Sequence, residues 1–166
     1  MKITISGRPG SGKSTVAKKL AKDLGYKHYS TGDFMRQIAK ERSISLEELS
    51  KEAEKTRYID DRLDKRQKEL GKREDDFVLD ARLGFHFIPN SLKIYLKVSD
   101  EEAYKRIKKR EGNIPYEKVK ERLKSEHKRY KELYNVNYEE EENYDVVIDT
   151  NKLSVDTVIN KIKECI

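Results

Sequence analysis

Gly7-Arg8-Pro9-Gly10-Ser11-Gly12-Lys13-Ser14-Thr15 gathers three glycines, a lysine and hydroxyls into nine consecutive residues. These types suit a polyphosphate. Gly7, Gly10 and Gly12 permit backbone angles and a close approach that side chains block, so successive N–H groups can converge on phosphate oxygens. A helix opening near Lys13 adds its positive N-terminal end. Lys13 brings a mobile charge to β- and γ-phosphates, and the Ser14 hydroxyl can ligate Mg²⁺. The stretch fits G-x-x-x-x-G-K-[ST], and it follows a strand pattern and opens a helical one, the context in which this loop cradles a nucleoside triphosphate.

Three further clusters carry charge suited to phosphate chemistry. Ser30-Thr31-Gly32-Asp33-Phe34-Met35-Arg36 ends a second strand pattern. Ligands of open α/β sheets bind beyond the carboxyl ends of strands, so this segment is expected to face the glycine-rich loop, with Arg36 forking onto a phosphate. Val78-Leu79-Asp80-Ala81-Arg82 ends a third strand pattern. There Asp80 is placed to hold Mg²⁺ through water, and Arg82 points into the same crevice. Arg106 and Arg110 lie four apart on one helix face, and phosphoryl transfer needs several cations around the transferring group. Gly112, Asn113 and Pro115 follow as a hinged segment before a helix that carries Arg122 and Arg129.

The elements that position these clusters alternate. Lys2–Ser6, Lys27–Ser30, Phe77–Leu79, Leu92–Val98 and Asp145–Ile148 read as short apolar strands. Helical spacing covers Lys13–Leu24, closed by Gly25, then three pieces between Phe34 and Lys72, then Asp100–Glu111, Pro115–Tyr134 and Ser154–Cys165. Ser45-Leu-Glu-Glu48 is a capping-box signature for the middle piece of the three. Alternating strands and helices indicate an α/β fold, a parallel sheet covered on both faces. The acidic run Glu139–Glu142 reads as a solvated turn.

The chain has 166 residues, enough for one domain spanning residues 1–166. Charged residues make up 41% and the net charge is +6, a balance that favours anionic ligands without choosing among nucleotides, RNA and membrane surfaces. Cys165 is the only cysteine, which excludes an intrachain disulfide or a cysteine cage for zinc. No apolar run approaches the roughly 20 residues that span a bilayer. A monomeric, cytoplasmic enzyme without membrane contact is the expectation.

Together GRPGSGKST, STGDFMR and LDAR resemble the nucleoside monophosphate kinases. Over essentially the whole chain the sequence is similar to the short archaeal-type cytidylate kinases, with Ile59–Gln67, the Arg122–Tyr134 helix and Tyr144–Asp149 as further matching stretches. The resemblance implies a three-layer P-loop fold with a five-stranded parallel sheet, a helical monophosphate-binding insert at about residues 31–72 and a short lid at about residues 111–116. It implies ATP and a nucleoside monophosphate as substrates, CMP or dCMP, with Mg²⁺ accompanying ATP. Gly7, Arg8, Pro9, Gly10, Ser11, Gly12, Lys13, Ser14 and Thr15 would then hold ATP. Ser30, Thr31, Gly32, Asp33, Arg36 and Arg82 would hold the acceptor's phosphate end, and Arg106 and Arg110 would close on the ATP phosphates. Ala81 departs from the family's pattern, where many relatives carry glycine, and the resemblance assigns no role to Gly84-Phe-His-Phe87 after it.

A monophosphate acceptor has a second pKa near 6, so it presents a nucleophilic oxygen at neutral pH without a general base. For reading its base, Asp60, Asp61, Asp64 and Gln67 are candidates, and Asp60, Asp64 and Gln67 lie near one helix face. Arg62 and Arg66 are placed to join them. Asp64 is a carboxylate placed to accept from the exocyclic amine of cytosine. AMP, UMP or dTMP as acceptor are the nearest alternatives. A P-loop kinase of a metabolite hydroxyl, similar to shikimate or gluconate kinases, is another, with Asp33 as base. A nucleotide-gated RNA-binding protein would need exposed aromatic platforms, and the ten tyrosines include Tyr130 and Tyr134, which also suit helix packing.

Overall fold

The computed structural model describes the backbone of residues 1–166 and all side chains except those of Leu46, Glu47 and Ser50. Five parallel strands, β1 (Lys2–Ser6), β2 (Lys27–Ser30), β3 (Phe77–Asp80), β4 (Leu92–Lys97) and β5 (Val146–Asp149), form one sheet in the order β2-β3-β1-β4-β5. The helices are α1 (Lys13–Leu24), α2 (Thr31–Glu41), α3 (Leu46–Lys55), α4 (Tyr58–Arg73), α5 (Gly84–Phe87), α6 (Asp100–Glu111), α7 (Tyr116–Tyr134) and α8 (Val155–Lys163).

Side-chain alternation along the strands explains the layering. Ile3, Ile5, Val78, Ile94 and Leu96 face α1 and α8, where Val16, Leu20, Val158 and Ile162 complete one core. Phe77, Leu79 and Tyr95 point the other way, into a second core with Leu70, Phe85, Phe87 and Tyr138. Both faces of the sheet are therefore covered, as the continuous apolar strands require. A third, smaller core of Ile38, Ala39, Leu49 and Ile59 ties α2, α3 and α4 to one another. Residues 31–73 thus form a helical unit with a core of its own.

Local signals set most helix ends. Gly25 closes α1 in the left-handed region at φ 69°, where a side chain would be strained. Ser30 caps α2 by accepting from the Asp33 N–H, and Ser45 with Glu48 forms the expected capping box on α3. Gly112, at φ 82°, ends α6. The one-turn α5 was not legible in the sequence. It exists because Gly84 lies against β1, where an added Cβ would come 3.1 Å from the Thr4 Cβ, and because Phe85 and Phe87 fill the second core. The Ala81 methyl is buried in that same core, while the Ala81 N–H donates to the Ile5 carbonyl, so alanine continues the sheet here.

Register brings the clusters together. Ser30 pairs with Asp80 across β2 and β3, and Asp80 pairs with Ile5 across β3 and β1. The carboxyl ends of three adjacent strands thus open into the glycine-rich loop, the STGD segment and the LDAR segment, side by side. Among the described residues no helix is long and apolar enough to cross a membrane.

Candidate active site

The donor end is made mostly of backbone. Gly10 and Gly12 lie at φ 83° and 84°, a region that side chains rarely adopt. At Gly10 there is also no room, since an added Cβ would sit 2.5 Å from the Ala103 carbonyl oxygen. Arg8 to Thr15, with Arg82 and Arg110, line a cleft of about 150 Å³. Arg8 itself is turned sideways into an ion pair with Asp100 at the start of α6. Lys13 leaves the loop along the cleft floor, its Nζ 3.3 Å from Oδ1 of the buried Asp80. Burial, and next the Arg82 charge, lower the Lys13 pKa, while Asp80 and Glu126 work against that shift.

Arg106 braces this end. Its Nη1 donates to the Gly10 carbonyl at 3.3 Å and to Thr150 Oγ1 at 3.1 Å, its Nη2 donates to the Thr150 carbonyl at 2.7 Å, and its Nε donates to Glu102 at 2.9 Å. The guanidinium therefore holds the P-loop from α6 and ties it to the chain after β5. Arg110, one turn on, is exposed and contacts Glu111, which also receives Arg122 at 3.3 Å.

Next to the donor cleft lies a cavity of about 500 Å³. Lys13, Ser14, Asp80 and Arg82 form its near end, and Ser30, Thr31, Gly32 and Arg36 continue its wall. Asp33 accepts from Ser30 Oγ at 2.7 Å and is paired with Arg36. These hydrogen bonds, Ser30 first and Arg36 second, hold the Asp33 carboxyl below the usual carboxylate range. Arg82 is mostly buried and ion-paired with Glu126 of α7, so it is not the partner of Asp80 two residues before it. Ser6 Oγ donates to the Arg82 carbonyl at 2.7 Å and fixes the turn that carries it.

The far end is formed where α4 meets α7. Asp60, Leu63, Asp64 and Gln67 face Arg129, Tyr130 and Tyr134 across the cavity. Arg129 Nη2 stands 3.7 Å from Asp60 Oδ1, and Tyr134 Oη donates to Asp64 Oδ2 at 2.6 Å. Burial pushes the pKa of both aspartates up, opposed by Arg129 at Asp60 and by the Tyr134 hydrogen bond at Asp64. Burial, followed by the Glu126 charge, pushes the Tyr130 phenol up to about 12. Gln67 is buried, and its Oε1 accepts no hydrogen bond from the described residues.

The structure therefore brings Lys13, Ser14, Ser30, Thr31, Gly32, Arg36, Asp64, Asp80 and Arg82 to one cavity. Asp60 and Gln67 join Asp64 on it, as their spacing on one helix face requires. Asp61 turns outward to Arg57, Arg62 bonds Glu41, and Arg66 bonds Gln37 and Glu41, so these three are held away from it. Glu139 is a further difference from the sequence reading. It begins the acidic run but is half-buried, 3.6 Å from Arg8 and from His127. Sequence reasoning missed Glu126. The signal available was the four-residue step Glu126, Tyr130, Tyr134, which puts an acid and two phenols on one face of α7.

Among the described residues no three His, Cys, Asp or Glu side chains converge as a metal cage. The Ser14 hydroxyl and the Asp80 carboxylate are nonetheless hard oxygen donors on one cavity wall. That donor set fits Mg²⁺, which keeps several waters and takes its remaining ligands from substrate phosphates.

Residues 2–152 match the model of the cytidylate kinase-like family. The chain is similar to the cytidylate kinase of Methanocaldococcus jannaschii, 39% identical with 100% of this chain and 97% of that protein covered. It is also similar to a longer protein of Lacinutrix mariniflava named S-adenosylmethionine-dependent nucleotide dehydratase, 35% identical over 98% of this chain but only 35% of that protein. Among solved structures, shikimate kinase from Bacteroides thetaiotaomicron superposes with a TM-score of 0.71 at 12% identity, covering 99% of this chain and 97% of that one. At that identity the likeness concerns the fold alone.

Proposed function

The chain belongs to the cytidylate kinase-like family, and from that premise we propose that it transfers the γ-phosphoryl of ATP to CMP or dCMP, giving ADP and CDP or dCDP. The observation that carries this reading is the single cavity that runs from Lys13 and Arg82 to Asp64 and Gln67. It has cations at the end nearest the P-loop and buried acceptors at the other, the polarity of a nucleoside monophosphate lying with its phosphate toward ATP.

In this reading Lys13 exchanges Asp80 for the β- and γ-phosphates when ATP enters, which restores a full anionic partner to a buried ammonium. Asp80, released, and Ser14 are the residues that would hold Mg²⁺, Asp80 through water. When bound, the ion neutralises charge on the β- and γ-phosphate oxygens. Arg36 and Arg82 hold the acceptor phosphate, and Arg82 keeps its aim through Glu126. Arg106 keeps the loop in shape from behind, and Arg110 on the exposed end of α6 swings in as residues 111–116 close. Closure excludes water and limits wasteful hydrolysis. No residue need remove a proton from a monophosphate at neutral pH, so catalysis consists of positioning and charge.

Asp33 argues against a hydroxyl acceptor. A carboxylate that is already hydrogen-bonded to Ser30 and Arg36 and held more acidic than usual is a weak general base. At the base end, Asp64 and Gln67 offer acceptors for the exocyclic amine of cytosine. A site built around such a donor rejects a base that lacks it. The longer relative's dehydratase name describes a protein of which this chain covers about a third, and that activity is not carried over.

The test is a coupled assay of ATP with CMP, dCMP, UMP, AMP, GMP, dTMP and shikimate. CMP and dCMP are expected to turn over fastest. Fastest turnover with AMP or dTMP overturns the cytosine assignment, and turnover of shikimate alone overturns the monophosphate assignment.

A further inference from the structure

Asp64 sits at the base end with one hydrogen-bond donor among the described residues, the Tyr134 hydroxyl on Oδ2 at 2.6 Å. The consequence depends on the proton. An ionised carboxyl only accepts, so it takes a hydrogen from the cytosine amine and repels the carbonyl oxygen that uracil carries at the same place. A protonated carboxyl both donates and accepts, and it pairs as well with the N3–H and O4 edge of uracil as with the amine and N3 edge of cytosine. Discrimination between the two pyrimidines through this residue therefore exists only while it is ionised.

The surroundings of Asp64 pull both ways. From α4, Asp60 and the more distant Asp61 disfavour the charge and Lys68 favours it. Burial disfavours it most, and the Tyr134 hydrogen bond is the largest opposing influence. Arg129 of α7 spends its charge on Asp60, at 3.7 Å, and Tyr130 flanks the Tyr134 ring. From α5, His86 lies against the same ring, with its pKa lowered by burial and by Lys68.

We propose that Tyr134 is a specificity-determining positioning residue: its hydroxyl occupies one oxygen of Asp64 and holds the carboxyl in the acceptor-only form that selects cytosine over uracil. This rests on the reading of the chain as a kinase of cytidine monophosphates. Gln67, in the wall of the same cavity and with no donor to its buried Oε1 among the described residues, supplies a second acceptor for the second amine hydrogen.

The experiment compares kcat/KM for CMP and for UMP between about pH 5.5 and 8.5 in the unaltered protein, Tyr134→Phe and Asp64→Asn. The phosphates of CMP and UMP titrate alike, so the ratio of the two values cancels their ionisation. The unaltered protein is expected to favour CMP near neutral pH and to lose that preference only toward acid. In Tyr134→Phe the preference near neutral pH falls by up to about tenfold, the most that a shift of one pH unit allows, and returns as pH rises. Its transition lies about one pH unit above that of the unaltered protein, the effect of removing one hydrogen bond to a charged group. Asp64→Asn, which has no proton to lose, shows a low ratio at every pH. A ratio in Tyr134→Phe equal to that of the unaltered protein throughout, or low at every pH without recovery, overturns the proposal while leaving the CMP assignment standing. An unaltered protein that phosphorylates neither pyrimidine, or prefers UMP, overturns that assignment and the proposal with it.

Discussion

The donor end of the cleft is mostly one continuous stretch of chain, Arg8 to Thr15, joined by Arg82 and Arg110, whereas the acceptor end is assembled from α2, the turn after β3, α4 and α7. At the donor end the shape comes from backbone angles at Gly10 and Gly12 and from the brace that Arg106 makes to the Gly10 carbonyl. At the acceptor end three arginines are matched by carboxylates, Arg36 by Asp33 of its own helix, and Arg82 and Arg129 by Glu126 and Asp60 of other elements. The two ends should therefore fail differently. Damage to the donor end removes the reaction for every acceptor. Damage to the acceptor end changes which molecule is used, and how well, with ATP affinity preserved.

The largest expected effect is at the donor end. Lys13→Ala should reduce turnover by on the order of 10³-fold or more with every monophosphate, because no neighbour in the loop can supply its charge at the β- and γ-phosphates. Steady-state rates, with a circular dichroism spectrum to show that the fold is kept, are the measurement. Near wild-type turnover would remove the distinction between the two ends altogether.

Next come the acceptor arginines. Arg82→Met and Arg36→Met should each cost about 30- to 1000-fold in kcat/KM for CMP, the loss of about 2–4 kcal/mol from a charge-assisted contact in a closed site. The KM for ATP should hardly move. Arg82 is the more buried of the two and should stand at the upper end. Glu126→Gln sharpens this. It leaves Arg82 charged but loosely aimed, so a loss of roughly tenfold, in the acceptor parameters only, separates aim from charge. An equal effect on ATP would show that α7 serves both ends.

A smaller effect is expected at Asp33. Asp33→Asn keeps a polar group at the cap of α2 and should lower kcat for CMP only a few-fold, since no proton has to leave the acceptor. A fall of about 10²–10⁴-fold, the range for loss of a general base, would instead favour a hydroxyl acceptor. The mildest readout is conformational. Amide hydrogen exchange over residues 106–122 should slow when a bisubstrate analogue binds, while exchange in β1 and β3 stays as it was. Unchanged exchange in residues 106–122 would mean that this segment does not close.

Much of the donor end was legible before any fold was known, because its chemistry is local. Three glycines, a lysine and a serine at fixed spacing already determine which backbone groups can converge, and the strand and helix patterns on either side determine where. The same holds for α1 with Gly25 at its end, for the capping box of Ser45 and Glu48, and for β1, β3 and β4, whose apolar runs are buried in the sheet. Asp60, Asp64 and Gln67 were legible as one face of a helix, because 3.6 residues per turn is a property of the chain alone. What that face meets was not. Only the tertiary structure decided that Glu126 pairs with Arg82, that Arg106 braces the loop, that Arg62 and Arg66 turn away to Glu41, and that Tyr134 reaches Asp64 across 70 residues of sequence. Each of these is a contact between side chains of different elements. Their partners are chosen by how α4, α6 and α7 pack on the sheet, and no spacing within one segment encodes that packing.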